Sequence, residues 1–202
     1  MRKIFVFILL SFLISFDVNA FTLSQSVNSD HRDEKNMLRD RYRNPIETLN
    51  FFRVEPSMTI VELSPGRGWY TEILAKYMFE NGRYIAAPYN PNLGGYAERL
   101  WDNYSSLLQS NEIYSKIEIS YLFDKMAEDE SVDAVLTFRN IHNWINDGAK
   151  NAKIIFEQTY NVLRSGGFFG VVEHRAKINT SVEDMYKSGY VTEQFIIDLA
   201  KD

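Results

Sequence analysis

A chain of 202 residues is long enough for one domain of ordinary size and too short for two comfortable ones. Its net charge of -5, with 22 basic residues dispersed among 27 acidic ones, presents no basic face and argues against nucleic acid as a partner. The absence of cysteine excludes disulfides, thiolate zinc sites and a cysteine nucleophile, and it leaves the compartment open.

The first twenty residues differ in character from the rest. Arg2 and Lys3 form a basic head, Ile4 to Phe16 is an apolar run, and Val18 and Ala20 stand where signal peptidase reads branched and small residues. The pattern is an export signal, residues 1–20, with a periplasmic destination. An apolar run of about 13 residues falls short of the ~20 that a spanning helix needs, so no stable membrane insertion is expected after cleavage. An uncleaved N-terminal anchor is the alternative. Residues 21–43 are polar and read as a flexible leader, and 44–202 as a single α/β domain.

Asn44-Pro45-Ile46-Glu47 carries a capping-box pattern with Pro at the first helical position, opening a helix to about Phe52. Met58 to Leu63 is a buried strand run, followed by a Pro65-Gly66-Arg67-Gly68 turn and a helix with apolar residues at Trp69, Ile73, Leu74, Tyr77 and Met78. Arg83 to Ala87 is a second strand ended by Pro88. Ala97 to Leu108 marks one face of a helix. Lys116 to Leu122, Val132 to Phe138 and Phe168 to Glu173 complete the strands, with a helix over 148–163 and a last helix capped by Thr192. Five strands alternating with helices predict a doubly wound, mostly parallel α/β sheet covered on both faces.

In such a sheet, ligands bind beyond the carboxyl ends of the strands, where strand order reverses. The turn from Glu62 through Ser64, Gly66 and Gly68 sits there, with glycines that let main chain approach a ligand and a helix start that favours an anionic group. A tight strand–helix turn without ligand is the plain alternative. From Asn44 to Glu173 the sequence resembles the class I S-adenosylmethionine (SAM) methyltransferases, whose first motif is an acid followed by spaced glycines. The resemblance implies a Rossmann-like methyltransferase with SAM as cofactor, lined by Glu62, Ser64, Gly66 and Gly68, the acid holding the SAM amino group directly or through water. Ser64 stands where the family has its first glycine. Pro88 stands where the family has a ribose-binding acid, and Asn90 is the neutral substitute. Asp124 falls where the family meets the adenine amino group, or is a solvated loop residue. Leu163-Arg164-Ser165-Gly166-Gly167 is similar to the family's turn into strand five.

The fourth strand runs into Arg139-Asn140-Ile141-His142-Asn143-Trp144. This segment resembles the His-Asp-Trp motif of small-molecule O-methyltransferases, which makes His142 the candidate general base. An imidazole titrates near ~6.5 in water and is mostly neutral at pH 7, as deprotonating a hydroxyl requires. A substrate contact and a loop-packing role stay open for His142. By the same resemblance Arg139 and Asn140 line the amino-acid end of SAM; a surface ion pair is the alternative for Arg139. Glu173-His174-Arg175 ends strand five at the same edge, and the spacing of His142, Glu173 and His174 requires no metal.

Asp40-Arg41-Tyr42-Arg43-Asn44-Pro45, the Ser-Pro-Gly turn and the Glu-His-Arg ending are similar to a bacterial group of exported methyltransferases. That likeness leaves the acceptor open beyond a small-molecule substrate. The family's two terminal strands have no counterpart before Asp202, so a bare sheet edge and apolar face are expected. Two consequences stand side by side: a truncated product, or a second copy of the chain as cover. Two functions likewise remain: a SAM-dependent methyltransferase, and a non-catalytic binding module that keeps the fold. Because SAM is made in the cytoplasm, export sits awkwardly with the first.

Overall fold

Strand-length apolar runs separated by helices close as a parallel sheet with helices on both faces. The computed structural model, which describes residues 20–201, has that arrangement. The export segment, residues 1–20, lies outside the described residues apart from Ala20. Five strands, β1 (Thr59–Leu63), β2 (Arg83–Ala87), β3 (Glu118–Ile119), β4 (Val132–Phe138) and β5 (Leu163–Val172), pair in the order β3-β2-β1-β4-β5, every pair parallel. Among the described residues no helix is long and apolar enough to cross a membrane.

The helices are α1 (Leu23–Val27), α2 (Glu34–Met37), α3 (Asp40–Arg43), α4 (Pro45–Phe51), α5 (Thr71–Tyr77), α6 (Tyr96–Ser110), α7 (Ile141–Trp144), α8 (Lys150–Val162), α9 (Val182–Ser188) and α10 (Glu193–Lys201). Alternation along the strands sorts their side chains onto two faces. Ile60, Tyr84, Ala86, Ala134 and Leu136 pack with Leu23, Leu49, Ile73 and Tyr104 of α1, α4, α5 and α6. Val61, Leu63, Ile85, Ala87 and Val135 pack with Trp144, Ile155 and Leu199 of α7, α8 and α10. The steps from β1 to β2 and from β4 to β5 run in opposite directions across the sheet. Right-handed crossovers therefore put α5 and α8 on opposite faces. Strand order reverses between β1 and β4, and their carboxyl ends frame the crevice.

Several expectations need correction. Residues 21–43 are a packed wall instead of a flexible leader: Leu23, Val27 and Arg32 are buried. Arg32 forks onto Asp40 at 2.7 and 3.0 Å and pairs with Glu72 at 3.4 Å. Asn44 forms no side-chain cap, because it ends α3 and starts α4 in a left-handed conformation, φ 43°, that cannot present a capping oxygen. β3 is shorter than expected. The main chain continues beside β2 through Ser120 N–H to Ala86 O and Leu122 N–H to Pro88 O, but Pro88 has no N–H to return a bond. The apolar face beyond β4 is not bare: Met185, Val191 and Leu199 of the last segment are buried on it. Past the end of β5, Arg175 and Val191 form an isolated parallel bridge. The glycine turn expected before β5 is an irregularity inside it, since Leu163 and Phe168 pair with Val132 and Ala134 and residues 164–167 loop out between them.

Candidate functional site

A cavity of about 900 Å³ opens at the reversal point between β1 and β4. Its floor is the β1 exit, Ser64, Pro65, Gly66 and Arg67. One side is the β4 exit, Phe138, Arg139, Asn140 and His142, and the opposite wall comes from the leader, including Asn36, Arg39 and Arg43. Five of the nine residues singled out by sequence meet here: Ser64, Gly66, Arg139, Asn140 and His142. Glu62, Gly68, Asn90 and Asp124 do not line it.

Each absence has a physical cause. Glu62 is buried beneath the turn, where its Oε2 accepts from Thr71 Oγ1 at 3.2 Å and from the Tyr84 hydroxyl, and Tyr104 OH stands 3.2 Å from Thr71 Oγ1. Burial pushes its carboxyl up to about 7 against the lowering pull of Tyr84, Thr71 and Arg43. Gly68 has φ +83° and lies under α6, where a Cβ would stand 2.1 Å from Leu107 Cδ2. Asn90 caps the turn after β2 by accepting from Asn92 N–H at 3.0 Å. Asp124 is an exposed loop residue.

The residues that do meet are held tightly. Gly66 has φ +64° with open space where a side chain would be, so the turn is exposed to the cavity at this point. Ser64 is buried with φ 50°, its side chain beside the Tyr89 hydroxyl. The Asn140 amide donates to Leu63 O and Ser64 O, both at 3.2 Å, and to Thr137 Oγ1 at 3.1 Å. It staples the β4 exit to the β1 exit. Arg139 occupies φ 62° and stands with Nη1 3.3 Å from His174 Nε2; the ring of His174 stacks on Tyr190 at 5.1 Å.

His142 Nδ1 lies 3.1 Å from Glu173 Oε2, whose side chain is 3% exposed, while Glu173 Oε1 accepts from His174 N–H at 2.9 Å. A buried carboxylate therefore fixes the imidazole ring. Asp147, close behind in sequence, instead accepts from Asn151 N–H at the start of α8. Glu173 as the orienting partner escaped the sequence reading, which set it beside His142 and His174 only as a polar strand exit or a metal group that their spacing does not require. Of the leader arginines on the cavity, Arg43 was with Tyr42 a candidate to fold over the cofactor mouth, and it lines the cavity while Tyr42 does not; Arg39 escaped the sequence reading. Among the described residues no group of three metal-ligating side chains converges.

No protein-family model matches the chain, and no curated protein matches it either. Solved structures do. A SAM-dependent methyltransferase from Aquifex aeolicus aligns with a TM-score of 0.63 at 16% identity, over 90% of this chain and 87% of that one. The fold is the one used by SAM-dependent methyltransferases. A protein from Pyrococcus horikoshii OT3 aligns with a TM-score of 0.59 at 13% identity, over 90% and 89%. Geranyl diphosphate C-methyltransferase from Streptomyces coelicolor A3(2), solved with Mg2+, geranyl diphosphate and S-adenosylhomocysteine, aligns with a TM-score of 0.58 at 11% identity, over 88% and 67%. Identities this low establish the fold and leave the site to this chain's own residues. Those residues fit the amino-acid half of SAM, through the open main chain at Gly66 and an arginine for its carboxylate. For the adenosine half, neither Asn90 nor Asp124 reaches the cavity.

Proposed function

We propose that the chain transfers the methyl group of SAM to a hydroxyl of a small-molecule acceptor, with His142 as the base. The observation that carries this reading is the His142–Glu173 pair on the wall of a cavity at the sheet's reversal point. When bound, SAM supplies an electrophilic methyl carbon on a sulfonium. Ser64 and Gly66 would hold its amino-acid end, with Asn140 keeping that floor in place. The protein's main contribution is positioning of the two reactants. With the Nδ1 proton assigned to the Glu173 side, Nε2 is left to take the acceptor's hydroxyl proton as the oxygen bonds to methyl carbon and the C–S bond breaks. A base so placed contributes about 10²–10⁴-fold.

Calorimetric titration with SAM is the test. Saturable micromolar binding, with His142→Ala lowering turnover and keeping that affinity, supports the enzyme. Equal turnover in the variant removes His142 as the base. A non-catalytic binding module is the second reading, favoured by Pro88 at the β2 exit and by Glu62, Asn90 and Asp124 outside the cavity; absence of heat up to millimolar SAM would select it. Residues 1–20 support export as the location. Recovery of the protein from the cytoplasmic fraction with Met1 intact would overturn that part.

A further inference from the structure

The charge of the cavity is at odds with the charge of the chain. The protein carries -5 overall, yet the cavity is lined by Lys35, Arg39, Arg43, Arg67 and Arg139 against two carboxylates. Two carboxylates cannot balance five cations, and one of the two is already paired. Glu72 pairs with buried Arg32 and accepts from the Asn36 amide at 2.7 Å. Asp33 caps α2 by accepting from Lys35 N–H at 2.7 Å.

Among the described residues none of the four arginines has an ion pair; the ion pairs formed involve other cations. Arg43 lies 4.6 Å over the Trp69 ring, half-buried, and burial together with neighbouring Arg139 and Arg39 pushes its guanidinium down to about 10. Crowding of like charges at a partly desolvated site is unfavourable unless something of opposite sign enters.

SAM cannot be that balancing group. It brings a sulfonium and an ammonium against one carboxylate, so its own charge adds to the excess. One carboxylate engages one guanidinium fork, or at most two. We propose that the acceptor carries a multiply charged anionic group, a phosphate, diphosphate or dicarboxylate, gripped by Arg39, Arg43, Arg67 and Arg139. This rests on the methyl-transfer reading for the word acceptor and on the cavity alone for the anion. Guanidinium forks match phosphate and carboxylate oxygens in pairs, which a hydroxyl or amide acceptor would not use.

The test uses the purified protein at low salt with two probes, inorganic pyrophosphate and succinate, read by tryptophan fluorescence because Trp69 lies in the cavity. Binding is expected to saturate and to weaken as salt rises. Arg39→Gln and Arg67→Gln, both exposed positions, should each weaken it about fivefold or more, whereas Arg83→Gln, whose side chain pairs with Glu118, should not. The probe that binds more tightly identifies the phosphate or the carboxylate class. The proposal is overturned if neither probe saturates at millimolar concentration, or if Arg39→Gln and Arg67→Gln both bind as the unaltered protein does. S-adenosylhomocysteine titrated into the same proteins separates the two ideas. Anion binding without it keeps this site and removes the methyl-transfer reading; the converse removes this site alone.

Discussion

Raising the pH should cost this protein stability through one carboxyl group, Glu62. Its carboxyl is fully buried and titrates at about 7 in the folded chain against an ordinary 4.5. Below 4.5 the group is protonated in both states, and its contribution to stability is fully present. Between 4.5 and about 7 the unfolded chain releases the proton and the folded one keeps it, so unfolding gains with each step of pH. At about 1.4 kcal/mol per pH unit the loss reaches about 3 kcal/mol once pH passes the folded value. That is a large share of the ~5–15 kcal/mol that holds a domain together. The isosteric variant Glu62→Gln has no proton to lose. Its amide can still accept from Thr71 and donate to a hydroxyl of Tyr84 or Tyr104. Urea unfolding followed by circular dichroism at pH 5 and pH 8 should therefore show the unaltered protein losing about 2.5 kcal/mol relative to the variant. Burial lowers the His31 imidazole and raises the Glu72 carboxyl, but both act equally in the two proteins and cancel in the comparison. Parallel pH dependences would refute the argument. They would mean that Glu62 ionises at its ordinary value, and hence that water or a bound cation reaches it.

Arg32→Met should destabilise the chain by about 3–5 kcal/mol in the same unfolding assay, since it strands Glu72 and Asp40 around a side chain with 0% exposure. A cost below about 1 kcal/mol would show that residues 21–43 are not part of the cooperative unit. Gly66→Ala and Gly68→Ala should separate. The first adds only the left-handed penalty of about 1 kcal/mol, and the second also displaces Leu107 for a total of about 3 kcal/mol; equal costs would contradict the packing of α6 on the turn. Glu173→Gln should lower kcat by up to the roughly 10²–10⁴-fold that a placed base supplies while S-adenosylhomocysteine affinity holds. An unchanged kcat would remove Glu173 as a positioning residue.

What the sequence made legible is what local pattern encodes. β2 and β4 run over Arg83–Ala87 and Val132–Phe138 as their apolar runs require, and Thr192 caps the last helix by accepting from Phe195 N–H at 3.2 Å. What it hid depends on distant partners. The leader reads as solvated because Ser, Asn, Asp and Arg dominate it, yet Arg32 can be buried once Asp40 and Glu72 neutralise it, and Glu72 lies forty positions away. Asn44 carries a capping residue's chemistry, but the end of α3 claims its backbone first. Glu62 reads as a ligand-facing acid by motif. Its place in the pleat points it instead at Tyr84 on β2 and at Thr71, a contact that period-two alternation could have flagged.

The leader and the cavity are two halves of one electrostatic arrangement. Asp40 and Glu72 are both committed to Arg32, and that commitment anchors α1 to α3 on the domain. The same commitment leaves Arg39 and Arg43 facing the cavity with no carboxylate of their own. Folding of the leader and the appetite of the cavity for negative charge are thus set by the same acids. Freeing one acid, as Arg32→Met does, should weaken both: the wall loses its anchor, and a released carboxylate can reach for the arginines that would otherwise hold an anion. The turn supplies an open floor at Gly66 and one cation, Arg67, the β4 exit supplies Arg139, and the leader packed against them adds Arg39 and Arg43 to the positive charge over that floor.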